Sequence, residues 1–192
     1  MIHVEPQSEP ADFDKKVRNP GLKFLKDNPD CPATELKAYW RNVLHELWEK
    51  YHGICAYLAI FFEESTGASS VDHFVPKYKN RKLAYEWSNF RLSCLRANVK
   101  KHTSEVLDPF TLEENAFVIN FSDGSIKPNK NKSLEYQELC QRTIDILSLN
   151  DSSNKKMRKS HFDDYRKDYV SLDFLRRKSP FVYSEIVRQG LQ

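Results

Sequence analysis

The sequence predicts an α+β protein, because short strand patterns and longer helical patterns alternate along its 192 residues. Strand patterns occupy 70–93, where two apolar runs flank a basic loop, and 116–128, where two more flank the tight-turn dipeptide Asp123-Gly124. Apolar side chains recur at helical spacing before and after these stretches, at 34–52 and 133–191. We therefore expect a small amount of sheet embedded in a mostly helical chain.

A proline-rich leader precedes the first helical pattern. Residues 1–33 contain five prolines and read as irregular, apart from short amphipathic pieces near 13–17 and 21–25. Residues 34–52 predict one helix, with Thr34 as its N-cap and Gly53 as the residue that ends it. The apolar run I-C-A-Y-L-A-I-F-F that follows predicts a strand or a buried turn.

The central stretch predicts a strand at 70–74, a basic loop, a strand at 89–93 and a helix at 96–104. Beyond the hairpin we expect a helix at 133–149, one long charged helix at 154–178 and, after Pro180, a final helix at 181–191. These elements divide the chain into three predicted segments, which are an irregular leader (1–33), a core (34–128) and a helical region suited to binding a partner (129–192).

Positive charge is concentrated around the central stretch. The whole chain has a formal net charge of only +3, but residues 73–102 hold eight basic residues against one acid, Glu86. Such a concentration suits a polyanionic partner, although a solvated basic face is the alternative. The four cysteines form no C-x-x-C pair and no apolar run approaches 18 residues, so we expect a soluble, cytoplasmic protein without a membrane span.

The polar side chains of this stretch are those needed to hydrolyse a phosphodiester. Asp72 offers a carboxylate and Asn98 an amide oxygen, which together can hold one Mg²⁺ or Mn²⁺ ion and leave positions for water and phosphate. His73 can accept a proton from water near neutral pH. Asn89 can hold the imidazole or its loop in place, and Lys101 shares a helical face with Asn98.

Four basic residues are the candidates for contacting nucleic acid. They are Lys77, Arg91, Lys100 and Lys101. No base-reading signature is visible, so we expect phosphate-led, weakly sequence-specific binding with strong salt dependence. Asp72 and His73 can serve one site only if the strand ends near them, because adjacent strand residues point to opposite faces. The alternative is that they form a surface pair and that the asparagines belong to turns or caps.

Three motifs here resemble those of the HNH endonucleases of the ββα-metal class. The motifs are D-H-F-x-P-K (72–77), E-W-S-N-F-R-L (86–92) and C-x-x-x-N-x-x-K (94–101), and the resemblance covers about residues 54–110. It implies a central ββα-metal unit in which Asp72 and Asn98 bind the metal, His73 is the general base and Asn89 is an orienting residue.

A wider pattern is similar to the HNH proteins of bacterial antiphage defence. It comprises W-x-x-V-L (40–44), I-C-A-Y (54–57) and V-L-D-P-F (106–110). Some of these proteins are partners of ABC-type ATPases in Septu-type and retron-associated systems, so the resemblance implies an ATPase partner. The chain itself has no G-x-x-x-x-G-K-[ST] motif, and any use of a nucleoside triphosphate would have to come from another polypeptide.

The sequence departs from the HNH pattern at the cysteines. Many HNH proteins bind a structural Zn²⁺ through two C-x-x-C pairs, but here Leu58 and Ala97 replace the second cysteine of each pair, leaving Cys55 and Cys94. We therefore predict no structural zinc. The same loss motivates a second hypothesis, a nucleic-acid-binding or assembly subunit whose HNH unit is dormant. Whether the target is DNA or RNA, including tRNA, is left open.

Overall fold

Two antiparallel strand pairs lie among seven α-helices in a computed structural model that describes residues 1–192. The strands are β1 (Ser69–His73), β2 (Phe90–Cys94), β3 (Phe117–Asn120) and β4 (Ser125–Pro128). The helices are α1 (Asn19–Asp27), α2 (Leu44–Lys50), α3 (Leu95–Lys101), α4 (Leu134–Ile146), α5 (Ser152–Arg166), α6 (Leu172–Lys178) and α7 (Pro180–Arg188). The predicted α+β class is confirmed. None of the helices combines the length and apolar composition needed for a membrane span.

The pair β1–β2 and the helix α3 follow one another in the predicted order of strand, loop, strand and helix. The strands pair so that Asp72 lies opposite Arg91 and His73 opposite Phe90. Helix α3 begins directly after β2 and packs against both strands. Because β1 ends at His73, the neighbouring side chains of Asp72 and His73 can reach the same site.

Residues 13–27 of the leader are helical, whereas the sequence predicted irregular chain with two short amphipathic pieces; residues 1–10 have no regular structure, as predicted. A π-helical turn at Asp14–Arg18 runs into α1 without a break. Phe13 and Val17 are fully buried, and the Phe13 ring packs edge-on against Phe90 of β2 with ring centres 5.9 Å apart. The two amphipathic pieces therefore form one continuous helix, and Phe13 at its start packs against β2.

The prediction of one helix over 34–52 was wrong. Residues Ala33–Glu35 and Tyr39–Val43 are separate 3₁₀ turns, and the α-helix begins only at Leu44. Leu36 is extended between them, with ψ of 130°, which buries its side chain. Thr34 caps no helix. Gly53 does follow α2 with a positive φ of 65°, and a Cβ there would lie 2.7 Å from the Trp48 ring.

The single helix predicted at 154–178 is two helices. Helix α5 ends at Arg166, Asp168 adopts a positive φ of 59°, and α6 begins at Leu172. The start of α6 is fixed by the Ser171 side chain, which accepts a hydrogen bond from the backbone N–H of Phe174 at 3.0 Å. The remaining helices and the β3–β4 hairpin lie close to their predicted positions.

Two clusters of buried apolar side chains form the core of the protein. One lies around β1–β2 and combines Phe13, Val17 and Leu47 with Phe90 and Leu92. The other joins β3–β4 to helices α4, α6 and α7 and includes the buried turn at 54–61, closed by a bridge between Ile54 and Phe61. The backbone N–H of Ala56 donates to the Leu92 carbonyl at 2.8 Å, which fixes this turn to β2.

Candidate functional site

A cleft of about 730 Å³ opens at the end of β1. Its walls come from β1, from α3, from the loop after Pro76 and from the segment between Ala33 and Leu44. Asp72, His73 and Asn98 all line it. The structure therefore brings together the three residues to which the sequence assigned metal binding and proton transfer.

Asp72 is held by two buried donors. The Tyr57 hydroxyl donates a hydrogen bond to its carboxylate, and the Lys101 ammonium lies 3.2 Å from each carboxylate oxygen. All three side chains are buried, and Asp72 retains 2% of its accessible surface. Burial raises the pKa of Asp72, while Lys101 and Tyr57 oppose that rise. Since both neighbours donate to it, Asp72 is placed as an ionised acceptor.

His73 is arranged as a proton acceptor. Its Nε2 lies 3.2 Å from the Ala84 carbonyl, which can accept only from an N–H, so Nε2 carries the proton and Nδ1 has a free lone pair. No protein donor contacts Nδ1. The Trp40 ring packs edge-on against the imidazole, with centres 4.7 Å apart. Burial, with a contribution from the charge of Lys77, lowers the pKa of His73 to about 3, which keeps the imidazole neutral.

The two asparagines have different surroundings. Asn98 donates through Nδ2 to Ser70 Oγ at 3.2 Å and to the Val71 carbonyl at 3.3 Å, which leaves its Oδ1 without a protein donor. Asn89 is buried and contacts backbone alone. It accepts from the N–H of Val75 at 2.7 Å and donates to the carbonyls of Val75 and Leu83. Asn89 therefore holds the loop between the strands, next to the Ala84 carbonyl that orients His73.

The donor set at the cleft fits a hard divalent cation. Asp72 and Asn98 supply oxygen, the ligand atom that Mg²⁺ and Mn²⁺ prefer, and Asn98 Oδ1 is free to bind. The protein contains no group of three or more His, Cys, Asp and Glu side chains arranged to hold a metal. An ion bound here would therefore keep most of its coordination positions for water and phosphate.

The four basic residues predicted to contact nucleic acid divide into two pairs. Arg91 and Lys101 are buried, so their predicted role needs correction. Arg91 forms a two-pronged ion pair with Asp108 at 2.8 and 2.7 Å, and Lys101 is bonded to Asp72 and to the carbonyls of His73 and Phe74. Lys77 lines the cleft with its ammonium 4.5 Å from the centre of the Trp40 ring, and Lys100 is exposed on α3.

Tyr57, Trp40 and Arg41 are site residues that the sequence did not single out. Tyr57 lies within the I-C-A-Y motif and Trp40 within W-x-x-V-L, so these two motifs could have indicated that both residues belong to the site. Their apolar neighbours made them look like ordinary core residues. Arg41 lies in a segment that was predicted as plain helix and is a 3₁₀ turn beside the cleft.

The two cysteines of the incomplete pairs are neighbours. The backbone N–H of Cys94 lies 3.4 Å from Cys55 Sγ. At the positions where the HNH pattern has further cysteines, Leu58 packs against an apolar cluster and Ala97 is buried. The predicted packing around Leu58 and Ala97 is therefore present, and the absence of zinc stays a prediction.

A comparison of whole sequences points in the same direction as the motifs. The chain is similar to a protein of Vibrio cholerae serotype O1 biovar El Tor named "Retron Vc95 putative HNH endonuclease". The two are 25% identical over 162 residues, which cover 78% of this chain and 77% of the relative. No protein-family model matches the chain. The similarity supports a relationship with HNH endonucleases.

Proposed function

We propose that the protein is a metal-dependent HNH endonuclease that hydrolyses phosphodiester bonds of nucleic acid. The observation that carries this proposal is the convergence of Asp72, His73 and Asn98 on one cleft, with His73 Nδ1 and Asn98 Oδ1 both free of protein donors. Asp72 supplies an anionic oxygen, Asn98 a neutral oxygen and His73 a proton acceptor. The similarity to a retron HNH protein supports the same activity class.

His73 acts as the general base in this mechanism. Its Nδ1 takes a proton from a water molecule as the water oxygen attacks phosphorus, and the imidazolium that forms keeps its Nε2–H bond to the Ala84 carbonyl. The bond from phosphorus to the 3′ oxygen breaks, and solvent water returns a proton to that oxygen. A divalent ion held by Asp72 and Asn98 would supply positive charge beside the scissile phosphate and the leaving oxygen.

Three further residues position this machinery without touching the substrate. Tyr57 and Lys101 fix the Asp72 carboxylate from inside the protein. Asn89 fixes the loop that carries the Ala84 carbonyl, and so fixes the tautomer and direction of the His73 ring.

We propose that the nuclease works in bacterial antiphage defence with an ABC-type ATPase. The name of the Vibrio relative includes a retron, which supports a role of this kind. The chain has no nucleotide-binding loop of its own. Its C-terminal helices α5 and α6 expose four basic side chains, Lys156, Arg166, Arg176 and Arg177, which offer a surface for such a partner. Co-purification of the ATPase by the full chain, and its loss with charge reversals at Lys156 and Arg177, would test this.

The nuclease proposal is tested by incubating the full chain with plasmid, linear DNA and RNA in Mg²⁺ or Mn²⁺, with and without the ATPase. His73→Ala is expected to abolish cleavage and EDTA to stop the wild-type reaction. His45→Ala is the matched control, because His45 is exposed and does not line the cleft. Its Nδ1 lies 3.0 Å from a carboxylate oxygen of Glu64. Unchanged cleavage by His73→Ala would refute the mechanism. A folded wild-type protein that binds nucleic acid but cuts none of these substrates would favour the dormant subunit.

A further inference from the structure

The rim of the cleft carries exposed apolar side chains. Tyr78, Leu95 and Val99 line it and are 59%, 54% and 66% exposed. Leu95 and Val99 are four residues apart on α3 and so lie on the same helical face, beside Asn98. The side of α3 that carries a proposed metal ligand therefore also presents bare hydrocarbon to whatever enters the cleft.

The charged groups at the rim are few and unbalanced by acids. Arg41 is exposed and has no carboxylate partner, and Lys77 lies over the Trp40 ring. Asp72 is the one acidic residue in the lining, and Lys101 neutralises it from inside the protein. The cleft thus complements an anion, because its lining combines the cations Arg41 and Lys77 with exposed apolar side chains.

Resting on the proposed function, we infer that this cleft takes an unpaired nucleic-acid strand and not a duplex. A duplex turns its phosphates outward and keeps its base faces stacked, so the apolar rim would gain nothing from it. Bases of a single strand are free to stack on an aromatic ring, and the Tyr78 ring is exposed at the rim. A cleft of about 730 Å³ also encloses part of one strand more readily than two paired strands.

A binding measurement on a variant without the catalytic histidine tests this inference separately from cleavage. The full-length His73→Ala protein is titrated with fluorescent oligonucleotides of one sequence as single-stranded DNA, single-stranded RNA, duplex DNA and duplex RNA, in Ca²⁺ or Mg²⁺ at fixed salt. We expect at least tenfold tighter binding of one or both single strands than of the matching duplex. The two single-strand arms also show whether DNA or RNA is preferred.

The rim is tested by adding Tyr78→Ala to the same protein. Single-strand affinity should fall by about fivefold to 150-fold, the range that base–aromatic stacking supports, while duplex binding changes little. Tyr169→Ala is the matched control, because Tyr169 is 74% exposed and lies outside the cleft. Duplex binding as tight as single-strand binding would overturn the inference. So would Tyr78→Ala binding like its parent, which would assign the apolar rim to a protein partner.

Failure of the proposed function gives a different result. A wild-type protein that cuts duplex and single strands equally well keeps the nuclease proposal and removes the single-strand inference. A protein that binds single strands through Tyr78 but cuts nothing keeps the inference about the cleft and removes the proposed activity.

Discussion

Replacing Lys101 with methionine is the most direct perturbation of the buried centre behind the cleft. Methionine keeps the length and apolar stem of the lysine but removes the ammonium. That ammonium lies 3.2 Å from both oxygens of Asp72 and 3.3 and 3.2 Å from the carbonyls of His73 and Phe74. The substitution therefore leaves one buried carboxylate with Tyr57 as its remaining donor, and two carbonyls without this partner.

The expected cost follows from the burial of both charges. Removing one partner of a buried ion pair costs about 3–5 kcal/mol, because the other charge is left uncompensated away from water. For a chain of this size, each kcal/mol lowers the melting temperature by about 2–4 °C. We therefore expect Lys101→Met to melt about 6–20 °C below the wild type in EDTA. A divalent ion at Asp72 would replace the missing charge, so Mn²⁺ should stabilise the variant more than it stabilises the wild type.

The assay is thermal and urea unfolding of three proteins in EDTA and in Mn²⁺. Asp72→Asn combined with Lys101→Met is the matched control, since it removes both charges together and should recover much of the lost stability. If the free energy of unfolding of Lys101→Met is within about 1 kcal/mol of the wild-type value, Asp72 and Lys101 do not form a buried pair of charges. An equal effect of Mn²⁺ on all three proteins would show that Asp72 does not bind the ion.

Three further predictions concern single side chains. Tyr57→Phe removes the hydroxyl that donates to Asp72, so it should lower the free energy of unfolding in urea by about 1.5–3 kcal/mol. It should also raise the Mn²⁺ concentration needed for half-maximal cleavage, and an unchanged metal requirement would contradict the positioning role of Tyr57. Asn89→Ala removes three hydrogen bonds to the loop, so cleavage should fall while α-helical circular dichroism is kept, and full cleavage would show that the loop holds without it. Burial lowers the pKa of His161, whose Nδ1 has no hydrogen-bond partner. As the pH falls, this histidine is therefore protonated in the unfolded chain before it is protonated in the folded protein, and stability is lost below about pH 6.5. His161→Leu should therefore stabilise the protein more at pH 5.5 than at pH 7.5, and an equal gain at both values would contradict this titration.

The sequence was informative where a short pattern decides a local structure. Alternation and the Asp-Gly dipeptide located the β3–β4 hairpin, and the order of apolar runs located β1, β2 and α3. It was misleading where helical spacing continued across a break. Leu36 and Ser171 both lie within helical patterns, yet one is extended and the other starts a new helix. Ser171 precedes Leu172-Asp173 and is a typical N-cap, so this second break had a local signal that the longer pattern obscured.

The candidate site was predictable in its chemistry and unpredictable in its electrostatics. Residue types and spacing selected Asp72, His73 and Asn98, because few side chains can bind a hard cation or accept a proton, and all three line one cleft. Which basic residues face a substrate depends on partners that are distant in sequence. Arg91 is paired with Asp108 and Lys101 with Asp72, so the charge of each is balanced by a carboxylate inside the protein. A count of positive residues along the chain cannot distinguish these from Lys77 or Arg41.

The neutralisation of Asp72 by Lys101 changes what a bound metal would do for the cleft. If Asp72 were an unpaired carboxylate, one of the two charges of a divalent ion would be used to cancel it. With Lys101 already balancing that carboxylate, the full double charge is added to the positive charge of Arg41 and Lys77 at the rim. The metal-loaded cleft should therefore attract a phosphate strand more strongly than it would if Asp72 had no cationic neighbour. Under Lys101→Met the metal-loaded site would carry one positive charge fewer, so strand affinity in saturating metal should fall while the effect of the metal on stability grows.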